Sequence, residues 1–528
     1  MKRIAIVLCV LSCIYVFSSA AVDAAQWSKV YGSSTGDEGG AIWPIATGGY
    51  YLSAPSTSYA GAKNALFAKL SASGGVAWAK SIGGSAEDIL IVTNLPDGGF
   101  LVTGITKSFP TTSSKYNILW ARFNASWAPV YQKVLGGAGD EAGGFLPTSD
   151  GGLLFYGTSD SYAADDDDIL IVKINSAGSV VWKKVFHKGT TDDATSAIEL
   201  SDGYVISGKI QVAPPSPLEG ILVMKLNKST GAFMWKKLYT LPPATGTLGG
   251  GGLDLLSDGS FILSGTVTPP ASTMAKTLLV KISSAGAIQW QRSYGIPSAS
   301  VTAANVIENP DHTLIVSGML MDSSFHTSIL VMKLAASGTI TLKRRLGATT
   351  QYNAGTVLKS GSELLLMGTH HTSFVDPNLD LLYGKLNAAT LVPIWAKTFG
   401  GTGMEFGDLL VRSGGYMITG TTTSFGPGVP AKTNVFGMTL DADGDYPNCH
   451  VSPYTLAATI PSVTAGSLSL TVTAPTLTAR TAGSATNISL KVSAVMLPAK
   501  NICAPITSAD EAPLAEDAEM PGEQLEGE

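Results

Sequence analysis

The chain has 528 residues, 45% hydrophobic and only 14% charged, with 59 glycines and a formal net charge of −6. That length can bury sizeable cores, and beyond the amino terminus no segment is long and apolar enough to cross a bilayer. The excess of acid is local: residues 510–528 hold eight acids and no base, while residues 26–509 hold 32 bases and 31 acids. A nearly neutral body gives no electrostatic footprint for nucleic acid, which is therefore not an expected partner.

Met1, Lys2 and Arg3 precede an apolar run from Ile4 to Phe17 and small residues through Ala24-Ala25. A positive start, an apolar stretch too short for about 30 Å of hydrocarbon, and small residues at the end predict that residues 1–25 are a secretory signal peptide. The expectation is a secreted protein, periplasmic or extracellular including the cell surface, with no transmembrane segment after signal removal. Cys9 and Cys13 leave with the signal. The remaining Cys449 and Cys503 allow a single intramolecular disulfide, which an oxidising compartment favours.

From Trp27 onward the chain repeats itself. An aromatic or apolar anchor followed two places later by a base recurs at Trp27, Trp78, Tyr131, Trp182, Trp235, Trp290, Leu342 and Trp395, at spacings of 51 to 55 residues. Each period holds a strand rich in small residues, a turn that is often Asp-Gly, a second strand, a variable loop and an apolar strand leading to the next anchor strand. Asp97-Gly98, Asp150-Gly151, Asp202-Gly203 and Asp258-Gly259 supply the positive φ of a tight hairpin. Four strands in about 50 residues make one propeller blade. The expected fold is all-β, an eight-bladed β-propeller over residues 26–446. The lone strand at Trp27 completes the last blade beside residues 435–440 and so removes an exposed edge.

The segment Lys173-Ile-Asn-Ser-Ala-Gly-Ser-Val-Val-Trp182, with its counterparts ending on Trp235 and Trp290, resembles the tryptophan-docking repeat of quinoprotein-like propellers. The element from Trp395 to Gly401, with Gly414 to Tyr416, is similar to repeats in many secreted bacterial proteins. The resemblance covers residues 26 to about 446 and implies a propeller. The family includes quinone-dependent dehydrogenases, which carry adjacent cysteines at the cofactor and a calcium site with an Asp base, and also non-catalytic scaffolds of outer-membrane assembly. This sequence has no adjacent cysteines, so the resemblance is to such propellers without their catalytic residues.

In a four-stranded blade the loop entering the first strand and the loop between the second and third open on one face, and variable loops are where binding resides. Ten residues after the anchors stand Asp37, Asp88, Glu141, Asp192 and Glu405, an acidic arc on consecutive blades, read as a rim for a basic partner or as capping groups. Tyr162, His370 and Phe425 are further binding candidates in the variable loops, with Tyr59, Phe109, Phe325 and Phe374 the other aromatics there. Asp165, Asp166, Asp167 and Asp168 form the densest acid run outside the tail, and Ca2+ is the ion such hard oxygens suit; no other cofactor is expected. The six histidines show no zinc spacing. The leading expectation is a monomeric, exported, non-catalytic propeller binding a protein or glycan through the variable-loop face. The rivals are an enzyme, a quinoprotein-like oxidoreductase or a polysaccharide hydrolase or lyase, with its site over the central channel, and a structural surface or matrix protein.

Beyond Tyr446, alternation at Leu468, Leu470 and Val472 and at Ile488, Leu490 and Val492 predicts short strands. Residues 447–509 are read as a small disulfide-linked β region packed beside the last blade. Residues 510–528 are read as a disordered acidic tail.

Overall fold

A computed structural model describes residues 26–503 except 34–35, 38–39, 46–47, 59–61, 110–114, 163–166, 189–190, 213–217, 243–245, 271, 349–351, 374–377, 429–431, 448, 468–470, 474–477, 481–485, 488–489 and 498. The expected signal at 1–25 and the acidic tail at 510–528 lie outside the described residues, as do Tyr59, Phe374, Asp165 and Asp166.

The described residues form strands and no helix, so none of them makes a helix able to span a membrane. The fold is the expected eight-bladed propeller. The first blade runs Ala41–Pro44, Tyr50–Ser56, Asn64–Leu70 and Val76–Gly83 in antiparallel order. Six more blades repeat the pattern, and the eighth has Glu405–Arg412, Gly415–Thr422 and Asn434–Leu440 from the end of the repeats. Its fourth strand is Ser28–Tyr31, with Val30 opposite Phe436. Two ends of the chain about 400 residues apart thus close the ring through backbone pairing, as the strand count requires.

Eight buried clusters fill the eight blade junctions. The one containing Trp27, Tyr31, Ile42, Leu52, Met417 and Val435 joins the eighth blade to the first. An open stack would leave that apolar surface in water at roughly 25 cal/mol per Å2. The anchor aromatics explain how neighbouring blades register. Trp182 lies over Gly231 in the next blade and donates from Nε1 to the Lys228 carbonyl at 2.8 Å. Gly231 has φ +65°, and a Cβ there would stand 2.6 Å from the indole, so both backbone and space demand glycine. At two equivalent turns a bulky residue takes the same backbone conformation, Trp127 at φ 65° and Leu391 at φ 56°. Trp127 stacks on Phe100 at 4.2 Å, and Leu391 fills the cluster containing Leu342, the anchor that is not aromatic.

On the face bearing the hairpin turns, the base at the end of the third strand reaches the acid of its own blade's turn in the second to seventh blades. Lys173 meets Asp150, Lys225 meets Asp202 and Lys281 meets Asp258, each at 2.8 Å, and Arg122–Asp97 and Lys385–Glu363 repeat the arrangement.

The carboxyl-terminal region departs from expectation. It is not a small unit beside the last blade: its strands run once around the ring, each pairing with the outer strand of a different blade. Val451–Pro453 pairs with the seventh blade, Ala458–Thr459 with the sixth and Thr464–Ser467 with the fifth. Thr471–Thr473, Thr478–Arg480, Thr486–Asn487 and Lys491–Ala494 continue through the fourth, third, second and first blades. Ala499–Asn501 ends the circuit against Ser28–Tyr31 in the eighth. Cys449 and Cys503 are bonded, with Cα atoms 5.4 Å apart, at the junction of the seventh and eighth blades. Belt and disulfide together make a covalent hoop around the propeller. Leu456, Val463, Leu490 and Leu497 each enter a different junction cluster from the rim. The physical reason is that a segment this short makes a thin core alone, whereas each blade offers one unpaired outer edge that a strand can cover.

Candidate functional site

In the first, second, third and eighth blades a backbone hydrogen bond knits the loop entering the first strand to the start of the loop after the second. Lys107 N donates to the Glu87 carbonyl at 2.9 Å, Asp160 N to Asp140 at 3.1 Å and Thr423 N to Met404 at 2.9 Å. The variable loops therefore share one face, as the blade topology requires.

The acidic arc lies beneath that face and is not displayed on it. Asp37, Asp88, Glu141, Asp192 and Glu405 are all fully buried. Of the two readings of the arc, a rim for a basic partner and capping groups, burial goes against the first and the hydrogen bonding agrees with the second. Asp88 accepts from the Thr106 hydroxyl at 2.5 Å, the Ser108 hydroxyl at 2.7 Å and Gly84 N at 2.6 Å. Asp37 accepts from Ser56, Ser58 and Ser33 N, and Glu405 from Thr422 and Gly401 N. Each carboxylate ties the incoming loop to the second strand of its own blade. Burial pushes the Glu141 carboxyl up to about 7, against the pull of Ser161, Ser159 and Gly137 N. Burial alone pushes Asp254, on the innermost strand of the fifth blade, up to about 6.

The fourth blade's member breaks the pattern. The residue paired with the arc acid is Ser56, Thr106, Ser159 or Thr422 in four blades, but Asp192 is opposite Ile210. At the adjoining end of the preceding blade, Asn434, Asn64, Asn117 and Asp380 stand beside Gly32, Gly83, Gly136 and Gly400, whereas Asp168 stands beside His187. His187 Nδ1 lies 2.6 Å from Asp168 Oδ1, and Asp192 accepts from Lys188 N at 2.6 Å. One ligand atom from each of Asp168, His187 and Asp192 lies within 4.8 Å of the others. The structure thus joins two residues that the sequence reading had placed in separate candidate groups and adds a histidine it had left aside. The signal was present at the fifth place after each anchor, where Gly32, Gly83, Gly136, Gly295, Gly347 and Gly400 contrast with His187 and with Thr240.

The remaining candidates are mostly consumed by packing. Tyr162 folds onto the cluster between the second and third blades, and Phe425 stacks on Phe399 at 5.6 Å. His370 lies 2.9 Å from Asn353 Oδ1 and packs on Tyr454 of the belt at 4.6 Å. Asp441 accepts from Asp443 N and Asp445 N in a plain turn. At the junction of the sixth and seventh blades the loop face is different. His326, Tyr352 and His371 form a row with successive ring centroids 5.2 and 4.9 Å apart, and Phe325 beside it is 57% exposed. A groove of about 490 Å3 opens on the outer rim where Ile460 and Val463 cross Leu342 and Arg344.

The described cysteines, Cys449 and Cys503, are bonded to each other on the outer belt. No protein-family model matches the chain, and no curated protein matches it. Among solved structures, one described as the crystal structure of the eukaryotic initiation factor is 11% identical and covers 71% of this chain and 96% of its own, with a TM-score of 0.38. A likeness of that size carries no argument, and the architecture rests on the strand pairing above.

Proposed function

We propose that the protein is an exported, non-catalytic binding scaffold, a monomer that engages a glycan or protein partner through the variable-loop face. The observation that carries this is the aromatic row of His326, Tyr352 and His371 beside exposed Phe325. Flat, stiff rings offer large contact area at little cost in side-chain entropy and stack on sugars or grip peptides. A rigid, belted ring whose buried arc carboxylates are occupied with holding loops is suited to presenting such a surface. Glycan and peptide arrays probed with the mature chain and with a Phe325→Ala/Tyr352→Ala variant test it. Binding by the native chain that the variant loses is expected; no binding, or equal binding by both, refutes the reading.

A further inference from the structure

The junction of the third and fourth blades is where a histidine, His187, takes the place of a glycine that six other repeats hold. At the eighth-to-first, first-to-second and second-to-third junctions an Asn amide and the arc acid lean over a glycine. A Cβ on Gly83 would collide with Asn64 Oδ1 and lie 2.8 Å from Asp88 Oδ2, and Gly32 and Gly136 are hemmed in alike. No side chain fits there. At the third-to-fourth junction an imidazole occupies that position, the amide has become the carboxylate of Asp168, and the residue opposite the arc acid is Ile210 in place of a hydroxyl residue. Asp168 and Asp192 are fully buried and His187 is 30% exposed from the loop side. Two buried carboxylates in one site require compensating positive charge.

We infer that Asp168, His187 and Asp192 bind a divalent transition-metal ion of the Zn2+ class. Two carboxylate oxygens and one imidazole nitrogen, converging within 4.8 Å, are the donor set of such an ion, and the imidazole disfavours Ca2+ and Mg2+, which take oxygen ligands. Three protein ligands leave a coordination position toward the loop face, where a water or a partner's group can complete the shell. The site goes beyond the scaffold reading and stands without it.

The test uses the tag-free mature chain, stripped with chelator and titrated calorimetrically with Zn2+ alone, then with Ca2+ in excess. The comparison is an Asp168→Asn/His187→Gly variant, which installs the residues that the repeat itself uses at three other junctions and is therefore expected to fold. The native chain should bind one Zn2+ that Ca2+ does not displace, and the variant should bind it about 100-fold more weakly or not at all, since even partners behind the ligands are worth 10–100-fold. If the double variant melts far below the native chain, Asp168→Asn alone, which keeps the imidazole, gives the same comparison. Absence of Zn2+ binding by the native chain, equal binding by a folded variant, or displacement by Ca2+ each overturns the inference.

Discussion

The hoop formed by the belt and its disulfide makes a quantitative prediction. Each belt strand pairs through only two to four residues, so alone it would fray at small cost. The Cys449–Cys503 bond closes a loop with a sequence separation of 54. In the chain-entropy treatment such a loop is worth about 4 kcal/mol. Unfolding entropy is about 2 cal/mol/K per residue, about 1 kcal/mol/K for a chain of this length, so Cys503→Ser should lower Tm by about 4 °C. Calorimetry with and without reductant is the measurement, and reductant should bring the native chain to the variant's Tm while leaving the variant unchanged. Limited trypsin digestion gives a local readout: cleavage at exposed Lys500 should accelerate in the variant before the repeats are cut. Equal melting temperatures together with unchanged cleavage at Lys500 would mean that the bond does not hold the belt, and the hoop would then have no mechanical role.

Three further outcomes follow from the geometry. Gly231→Ala, at φ +65° with its Cβ 2.6 Å from Trp182, should cost about 2–3 kcal/mol in urea unfolding; a neutral result would show that the indole is not docked there. Thr106→Val removes a hydroxyl that donates to fully buried Asp88 and should cost about 1–3 kcal/mol, whereas no loss would mean the carboxylate does not depend on it. Glu141 holds its proton up to about pH 7 when folded, against an ordinary value of 4.5. The folded state therefore binds more protons between those values, and this group's contribution is full below about pH 4.5 and declines by about 3 kcal/mol as pH rises through 7. Glu141→Gln should flatten that part of the stability profile and raise Tm at neutral pH relative to the native chain; parallel profiles for the two proteins would refute the assignment.

Much of the fold was legible because its rules are local. The anchors at Trp27, Trp78 and the rest mark where one blade meets the next, and the Asp-Gly turns mark where the chain reverses. The belt was misread although it, too, has a period. Leu456, Val463, Leu470 and Leu477 stand seven apart, as do Leu490 and Leu497. Alternation says that a strand has an apolar face but not which edge it will cover. Asp37, Asp88, Glu141 and Glu405 were correctly placed in register, yet their burial could not be read, because it depends on Ser and Thr hydroxyls brought in from 17 to 21 residues away.

The sequence by itself determined the number of blades, the closure of the ring by its first strand, and the single disulfide that its cysteines permit, because repetition, alternation and turn chemistry act over a few tens of residues. Tertiary structure decided that residues 451–501 encircle the molecule, and that Asp168, His187 and Asp192 meet. Those outcomes hang on strand edges and blade junctions that exist once the ring has formed: an unpaired edge recruits whatever strand can reach it, and a junction brings together side chains from the end of one repeat and the start of the next.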